Sequence, residues 1–273
     1  MTSSPPLSGI DTHAHIFDPR APMAPGRRYA PSYTATVEAW LGHMERAGVS
    51  HGALVQPSFY GTDNHLLAEA LAAYPQRLRG IAVLDPAVAE RRLAEMNAQG
   101  FVGARLNLVG KELEDYTSPE WQRFFHRLAE IGWQVEIQRA FEDFAQLLPA
   151  ISRAGCAVMI DHFGLPQGGI DAANPAHAAT LDMLRQTPNA WVKLSAPYRS
   201  GQDAARASAS LAHLRAACGG LGRFVWGSDW PHTQHEKAAS YAQQVARLEQ
   251  LLPDPDDRRR VLVENPAALF RFT

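Results

Sequence analysis

Residues 10–19 read IDTHAHIFDP, and they place His13 and His15 two apart inside an apolar run. The run is strand-sized. Side chains alternate along a strand, so Asp11, His13 and His15 are expected to share one face. Clustered imidazoles on a buried face ligate a metal or polarise a substrate. The plainer alternative is one core histidine and one at a strand end, and the dipeptide spacing alone does not choose between them.

Seven further strand-sized apolar runs follow, at 51–56, 80–84, 102–107, 133–138, 157–162, 190–195 and 223–229, after the first at 9–15. Amphipathic segments separate them. Thr34–Ala47 carries Val37, Trp40, Leu41 and Met44 at helical spacing, and Glu120–Ile131 carries Trp121, Phe124, Phe125, Leu128 and Ile131 on one stripe. Helices are expected also at 63–74, 87–99, 141–153, 174–186, 203–218 and 236–252. Strand and helix alternating eight times predicts an α/β fold, a single-domain (β/α)8 TIM barrel over 1–273, with residues 1–8 a flexible lead-in. No linker divides the chain. Asp18–Pro31 is read as a long first loop over the barrel mouth, and loops of that length are usually functional.

Chemistry in such barrels sits at the C-terminal ends of the strands. Those ends supply His13 and His15 (strand 1), Gln56 and Ser58 (strand 2), Arg105 and Asn107 (strand 4), and Glu136 and Gln138 (strand 5). Strand 6 supplies Asp161 and His162. Strand 7 gives Lys193, Ser195, Tyr198 and Arg199, and strand 8 gives Asp229 and then His232. A carboxylate can take a proton from water. Imidazoles can polarise a carbonyl or hold a metal that does so, and guanidinium groups clamp carboxylates. Each residue singly has a structural explanation; their convergence at one end of one barrel is what points to hydrolysis. No GxSxG elbow or phosphate-binding glycine loop is present.

A formal net charge of -2 gives no argument for nucleic acid or a membrane surface as partner. Two cysteines without a CxxC pairing, and an N-terminus lacking a basic and an apolar region, suggest a reducing, cytoplasmic setting with no signal peptide. The oligomeric state, monomer or homo-oligomer, is left open.

The stretches IDTHAHIFDP, RRYAPSY, VQPSFYGTDN, GARLNL, MIDHFGLP, KLSAPYR and WGSDWPHTQ, together spanning nearly the whole chain, resemble the amidohydrolase superfamily. The resemblance is nearest to its 2-pyrone-4,6-dicarboxylate lactonase-like family. It implies that Asp229 is the general base and that His162, with His13 and His15, polarises the scissile carbonyl. Arg105 and Arg199 would grip substrate carboxylates, and Tyr29 matches a substrate-binding tyrosine of the mouth loop. Ser58, Gln138, Lys111 and His232 complete the expected substrate-binding set. Three positions depart from the family: Lys111 stands where an arginine would be, Gln138 replaces a tyrosine, and Leu165 follows DHFG where another basic residue could stand.

Metal-dependent members of the superfamily add a histidine or a modified lysine from strand 4 or 5, which this chain lacks. No cofactor is therefore expected. A divalent zinc or manganese would fall to His13, His15 and Asp229. The expected partner is a small lactone bearing carboxylates, opened by Asp229-activated water while the imidazoles donate hydrogen bonds to the developing oxyanion. The alternatives are a metal-dependent hydrolase or decarboxylase, a lactone isomerase in which a substrate hydroxyl replaces water, and a silent barrel that binds an acid.

Overall fold

The computed structural model describes residues 5–272. Eight parallel strands run β1 (Ile10–Ala14), β2 (His51–Val55), β3 (Leu78–Ala82), β4 (Phe101–Asn107), β5 (Gln134–Gln138), β6 (Val158–Ile160), β7 (Ala190–Leu194) and β8 (Phe224–Trp226), paired in chain order. Helices alternate with them: α1 (Val37–Arg46), α2 (His65–Ala73), α3 (Glu90–Ala98), α4 (Pro119–Glu130), α5 (Phe144–Ser152), α6 (Pro175–Gln186), α7 (Ala204–Cys218) and α8 (Tyr241–Leu251). The sheet closes between β8 and β1. There Asp229 N donates to His13 O at 2.8 Å, His15 N donates to Trp230 O at 2.8 Å, and Thr12 Oγ1 donates to Trp226 O at 2.7 Å. This is the expected (β/α)8 TIM barrel.

Local chemistry sets the helices. Thr36, Asn174, Asp203 and Ser240 each accept a backbone N–H of the first turn that they cap. The stripe of α4 buries Trp121, Phe124, Phe125 and Leu128 against the barrel wall, as its spacing predicts. Each such side chain contributes about 1.5–3 kcal/mol when withdrawn from water. The lead-in is anchored where it reaches the barrel: Leu7 packs near its floor, and Ser8 Oγ donates to Gly48 O. The expected flexibility of residues 1–4 falls outside the described residues.

The barrel interior is layered. Ile10, Ala53, Val55, Ile81, Val102, Met159 and Val225 form an apolar floor, plugged by Phe270 and Phe272. Above it stands a polar layer of His13, Glu136, Asp161 and Lys193, all with fully buried side chains. The pocket opens above that layer.

One expectation about β1 fails. Asp11 does not share the His13 face: its Oδ2 accepts Trp40 Nε1 from α1, at 2.9 Å, outside the barrel. The register shifts between Asp11 and Ala14. Such a bulge resets the alternation, so that Ile10 faces the floor and His13 and His15 face the mouth. Asp11 also accepts Ser228 N and Ser228 Oγ, at 2.8 and 2.6 Å, tying the two ends of the barrel seam.

No helix among the described residues is long and apolar enough to cross a membrane. Cys156 and Cys218 are both free thiols.

Candidate active site

The strand ends bring a titratable cluster together above the apolar floor. Asp229 follows β8 with φ +61°, a backbone conformation uncommon for a residue with a side chain and found disproportionately at functional sites. Two residues earlier, only a glycine fits. A Cβ at Gly227 would lie 2.6 Å from His13 Cβ, so the missing side chain is what lets His13 approach Asp229. His162 follows β6 with φ +54°, and its Nδ1 lies 2.7 Å from Ser195 Oγ of the β7 loop.

The two oxygens of Asp229 have different surroundings. Oδ2 accepts Tyr198 OH at 2.5 Å and Arg199 Nε at 2.7 Å. Oδ1 has no hydrogen-bond partner and lies 3.9 Å from Nε2 of both His13 and His162. Those two Nε2 atoms are likewise buried and unpartnered. Three unpaired polar atoms thus converge on one point, and buried polar groups seldom go unpaired without a functional reason. Burial alone would raise the Asp229 carboxyl. Arg199 and the flanking imidazoles outweigh it and hold the group well below the usual carboxylate range.

Neutral imidazoles surround it. Burial, aided by the Arg105 guanidinium, lowers His15 to about 3. Burial takes His162 to about 4 and His232 to about 4 as well, and lowers His13, with help from the Lys193 ammonium. A neutral ring donates from one nitrogen and accepts at the other. His15 Nδ1 faces Val55 O at 2.7 Å and must donate to it, which leaves Nε2 bare toward the pocket. His15 is therefore an acceptor there, and the expectation that all three imidazoles donate to an oxyanion is corrected for this ring. His13 is the reverse case. Lys193 Nζ lies 3.1 Å from its Nδ1 and has only protons to offer, so the ring proton sits on Nε2.

Lys193 also lies 2.8 Å from Glu136 Oε2 and 3.0 Å from Asp161 Oδ1. Burial pushes Glu136 up to about 7 despite that ammonium. Three carboxylates (Glu136, Asp161, Asp229) thus face three cations (Arg105, Lys193, Arg199) in one buried cluster.

A pocket of about 100 Å³ opens above Asp229. It is lined by His15, His162, Arg105, Arg199, Ser58, Tyr29 and Gln138 among the expected residues, and by Arg28, Asn107 and Thr233 in addition. The Asp18–Pro31 loop does lie over the mouth. It is closed at its base by the Phe17–Ala35 bridge and held where Tyr60 OH donates to Asp18 O at 2.6 Å.

Several members of the expected substrate-binding set differ from expectation. Arg199 is engaged with Asp229 through Nε, so only its Nη atoms, 3.3 and 3.4 Å from Thr233 oxygens, turn toward the pocket. Arg105 Nη2 donates to Gln138 Oε1 at 2.6 Å, so the amide replacing the family's tyrosine orients that guanidinium. Lys111 stands off the pocket wall, because the turn after β4 carries it into an adjoining hollow of about 480 Å³ that shares Ser58, Arg105 and Asn107 with the pocket. His232 is buried behind Tyr198, with Nδ1 3.1 Å from the phenol oxygen, and supports that side chain from outside the pocket wall.

Donor atoms of His13, His15 and Asp229 all lie within 4.8 Å of one another, and so do those of His13, Asp161 and His162. Distance alone would admit a divalent ion. His15, donating to a carbonyl through Nδ1 and bare at Nε2, is arranged as metal-binding histidines are. His13 is not, because its Nε2, the atom turned toward Asp229 Oδ1, already carries the proton. Two further positive charges would also be unmatched in a cluster whose carboxylates and cations are equal in number. As arranged, this set does not fit a divalent metal.

Residues 10–272 match the amidohydrolase family model. The chain is 26% identical to 2-pyrone-4,6-dicarbaxylate hydrolase of Comamonas testosteroni, over 97% of this chain and 90% of that protein. It is 28% identical to D-galactarolactone isomerase of Agrobacterium fabrum, over 98% of this chain and 92% of that protein. Among solved structures, a probable 2-pyrone-4,6-dicarboxylic acid hydrolase from Acinetobacter baumannii with citric acid bound superimposes with a TM-score of 0.92. It is 36% identical, covering 97% of this chain and 100% of that one. With this match over nearly its full length, the chain belongs to the amidohydrolase family.

Proposed function

We propose that this chain is a hydrolase that opens a lactone bearing carboxylates, with Asp229 as the base and no metal in the reacting step. The observation that carries the reading is the convergence of Asp229 Oδ1 with Nε2 of His13 and His162, all three unpartnered beneath a pocket walled by guanidinium groups. The names of the Comamonas and Acinetobacter relatives, and the citric acid in the latter, support a carboxylate-bearing substrate.

Arg105, Arg28 and the Nη atoms of Arg199 bind the substrate carboxylates, with Ser58, Asn107 and Tyr29 beside them. The scissile carbonyl oxygen accepts hydrogen bonds from the Nε2–H groups of His13 and of His162, the latter set when Ser195 donates to Nδ1. Each such donor is worth about 3–4 kcal/mol when aimed at a developing oxyanion. Asp229 Oδ1 removes a proton from water, and bare His15 Nε2 accepts the water's other hydrogen. The resulting hydroxyl adds to the carbonyl carbon. The ring C–O bond then breaks, and the departing oxygen takes the proton back from Asp229.

The isomerase among the relatives keeps a second reading in view, in which a hydroxyl of the substrate replaces water. Turnover in H₂¹⁸O of a lactone that bears both a carboxylate and a free hydroxyl, such as D-galactarolactone, separates the two by mass spectrometry, whereas 2-pyrone-4,6-dicarboxylate has no hydroxyl to stand in for water. One ¹⁸O in a new carboxylate of the opened product is expected; a product of unchanged mass without label contradicts hydrolysis.

A further inference from the structure

Lys193 is entirely buried, carries no direct contact to the pocket, and is not used by any step above. Its ammonium faces three acceptor atoms: Glu136 Oε2 at 2.8 Å, Asp161 Oδ1 at 3.0 Å and His13 Nδ1 at 3.1 Å. An ammonium has three protons and no lone pair. It therefore dictates that His13 accepts at Nδ1 and donates at Nε2.

Without that ammonium, the nearest partner of His13 Nδ1 is Asp161 Oδ1 at 3.5 Å, with Glu136 Oε2 at 4.0 Å. The nearer, Asp161, is a carboxylate and accepts only, whereas Glu136, which burial pushes up, stands farther off. His13 would then carry its proton on Nδ1 and bare Nε2 toward Asp229 Oδ1 and His15. A carboxylate behind Nδ1 and a lone pair in front is the arrangement that metal-ligating histidines use. One side chain thus separates two chemistries built on the same His13, His15 and Asp229.

We propose that Lys193 is a positioning residue that selects the tautomer of His13, and that by doing so it keeps this site a donor to substrate oxygen and unsuited to a divalent metal. The inference rests on the reading of the site as a hydrolase that uses no metal, but its two main readouts need no turnover.

The first readout uses the unaltered protein. With ¹⁵N-labelled histidine, and with His13→Gln to identify the signals, the His13 ring is expected to show a protonated Nε2 and an unprotonated Nδ1. The opposite pattern overturns the proposal without any variant at Lys193.

The second readout is the visible spectrum of cobalt(II) titrated into the metal-stripped protein. The unaltered chain is expected to give no ligand-field band from this site. Lys193→Met is expected to bind cobalt at least tenfold more tightly, with a band that disappears again in the Lys193→Met/His13→Gln double variant. If losing the ammonium leaves Lys193→Met unfolded, Lys193→Met with Glu136→Gln removes one charge of each sign and retains Asp161 behind His13. Cobalt affinity unchanged in the folded variant overturns the proposal. So does strong cobalt binding at His13 in the unaltered chain.

Metal-free lactone turnover supplies a third readout: kcat should fall tenfold or more in Lys193→Met, with KM nearly unchanged. If the unaltered chain opens no lactone, the hydrolase reading fails, while the ring-nitrogen and cobalt results still decide what Lys193 does.

Discussion

Replacing Asp229 with asparagine tests the base assignment, and the structure fixes how the amide must sit. Tyr198 OH and Arg199 Nε both donate into the Oδ2 position. The amide oxygen is the only acceptor on the substituted side chain, so it takes that place and the NH₂ group fills the position of Oδ1. That group faces the Nε2 atoms of His13 and His162 and has no lone pair with which to take a proton from water. The Asp229→Asn variant thus loses the proton acceptor while keeping the ties to Tyr198 and Arg199. General-base catalysis is commonly worth about 10²- to 10⁴-fold. The acceptor that remains beside the water is His15 Nε2, which burial and Arg105 make a weak base, so the expected fall in kcat is about 10³-fold or more, near 4 kcal/mol in the barrier.

KM should change little, because the carboxylate-binding groups of the pocket are untouched. The assay is saturation kinetics of 2-pyrone-4,6-dicarboxylate opening, followed by absorbance, on protein whose fold is verified by circular dichroism. A kcat within tenfold of the unaltered chain would refute the assignment, as would a loss carried wholly by KM.

Three further outcomes follow from the geometry. Arg28→Met removes an exposed pocket guanidinium held by one 3.3 Å contact to Asn107; KM should rise about tenfold or more with kcat nearly kept, since a hydrogen bond to a charged group is worth about 1.5–3 kcal/mol, and an unchanged KM would remove Arg28 from substrate binding. Gly227→Ala drives a methyl into His13; a loss of about 1–3 kcal/mol in denaturant unfolding and a lower kcat are expected, and a variant equal to the unaltered chain in both would contradict the close packing described. Stability should also fall on acidification. His13, His15, His162 and His232 are held below the ordinary 6.5, chiefly by burial. The unfolded chain therefore takes up protons near 6.5 that the folded chain refuses, at about 1.4 kcal/mol for each ring at pH 5.5. Glu136, raised to about 7, and Asp11, also raised, act in the opposite sense, because the folded chain protonates them first. A net loss of roughly 3 kcal/mol between pH 7.5 and 5.5 is expected from denaturant midpoints, and an unchanged or rising midpoint would contradict it.

The barrel was legible because its strands are short apolar runs and its helices carry stripes such as Trp121–Leu128, both visible in one dimension. Asp229, His13, His15 and His162 were legible because a barrel gathers strand ends. The β1 bulge was not, since nothing in IDTHAHIFDP distinguishes regular alternation from a register shift, and regular alternation puts Asp11 on the wrong face. Glu136 and Lys193 stood out as polar residues at strand ends, but their pairing crosses the barrel from β5 to β7 and has no local signature. Arg28 was missed for a different reason: it lies on an aperiodic loop, where only proximity to Tyr29 hinted at the pocket. The motif position of Lys111 points to the pocket, but the turn after β4 carries it into the neighbouring hollow. The tautomers of His13 and His15 depend on Lys193 Nζ and Val55 O, partners distant in sequence.

The central claim is that water is activated by Asp229 among neutral imidazoles, without a metal. The most direct measurement is the opening of 2-pyrone-4,6-dicarboxylate by chelator-treated protein whose residual metal is quantified by elemental analysis. Full turnover at far less than one metal per chain is the predicted result. Turnover abolished by stripping and restored by stoichiometric zinc or manganese would contradict it.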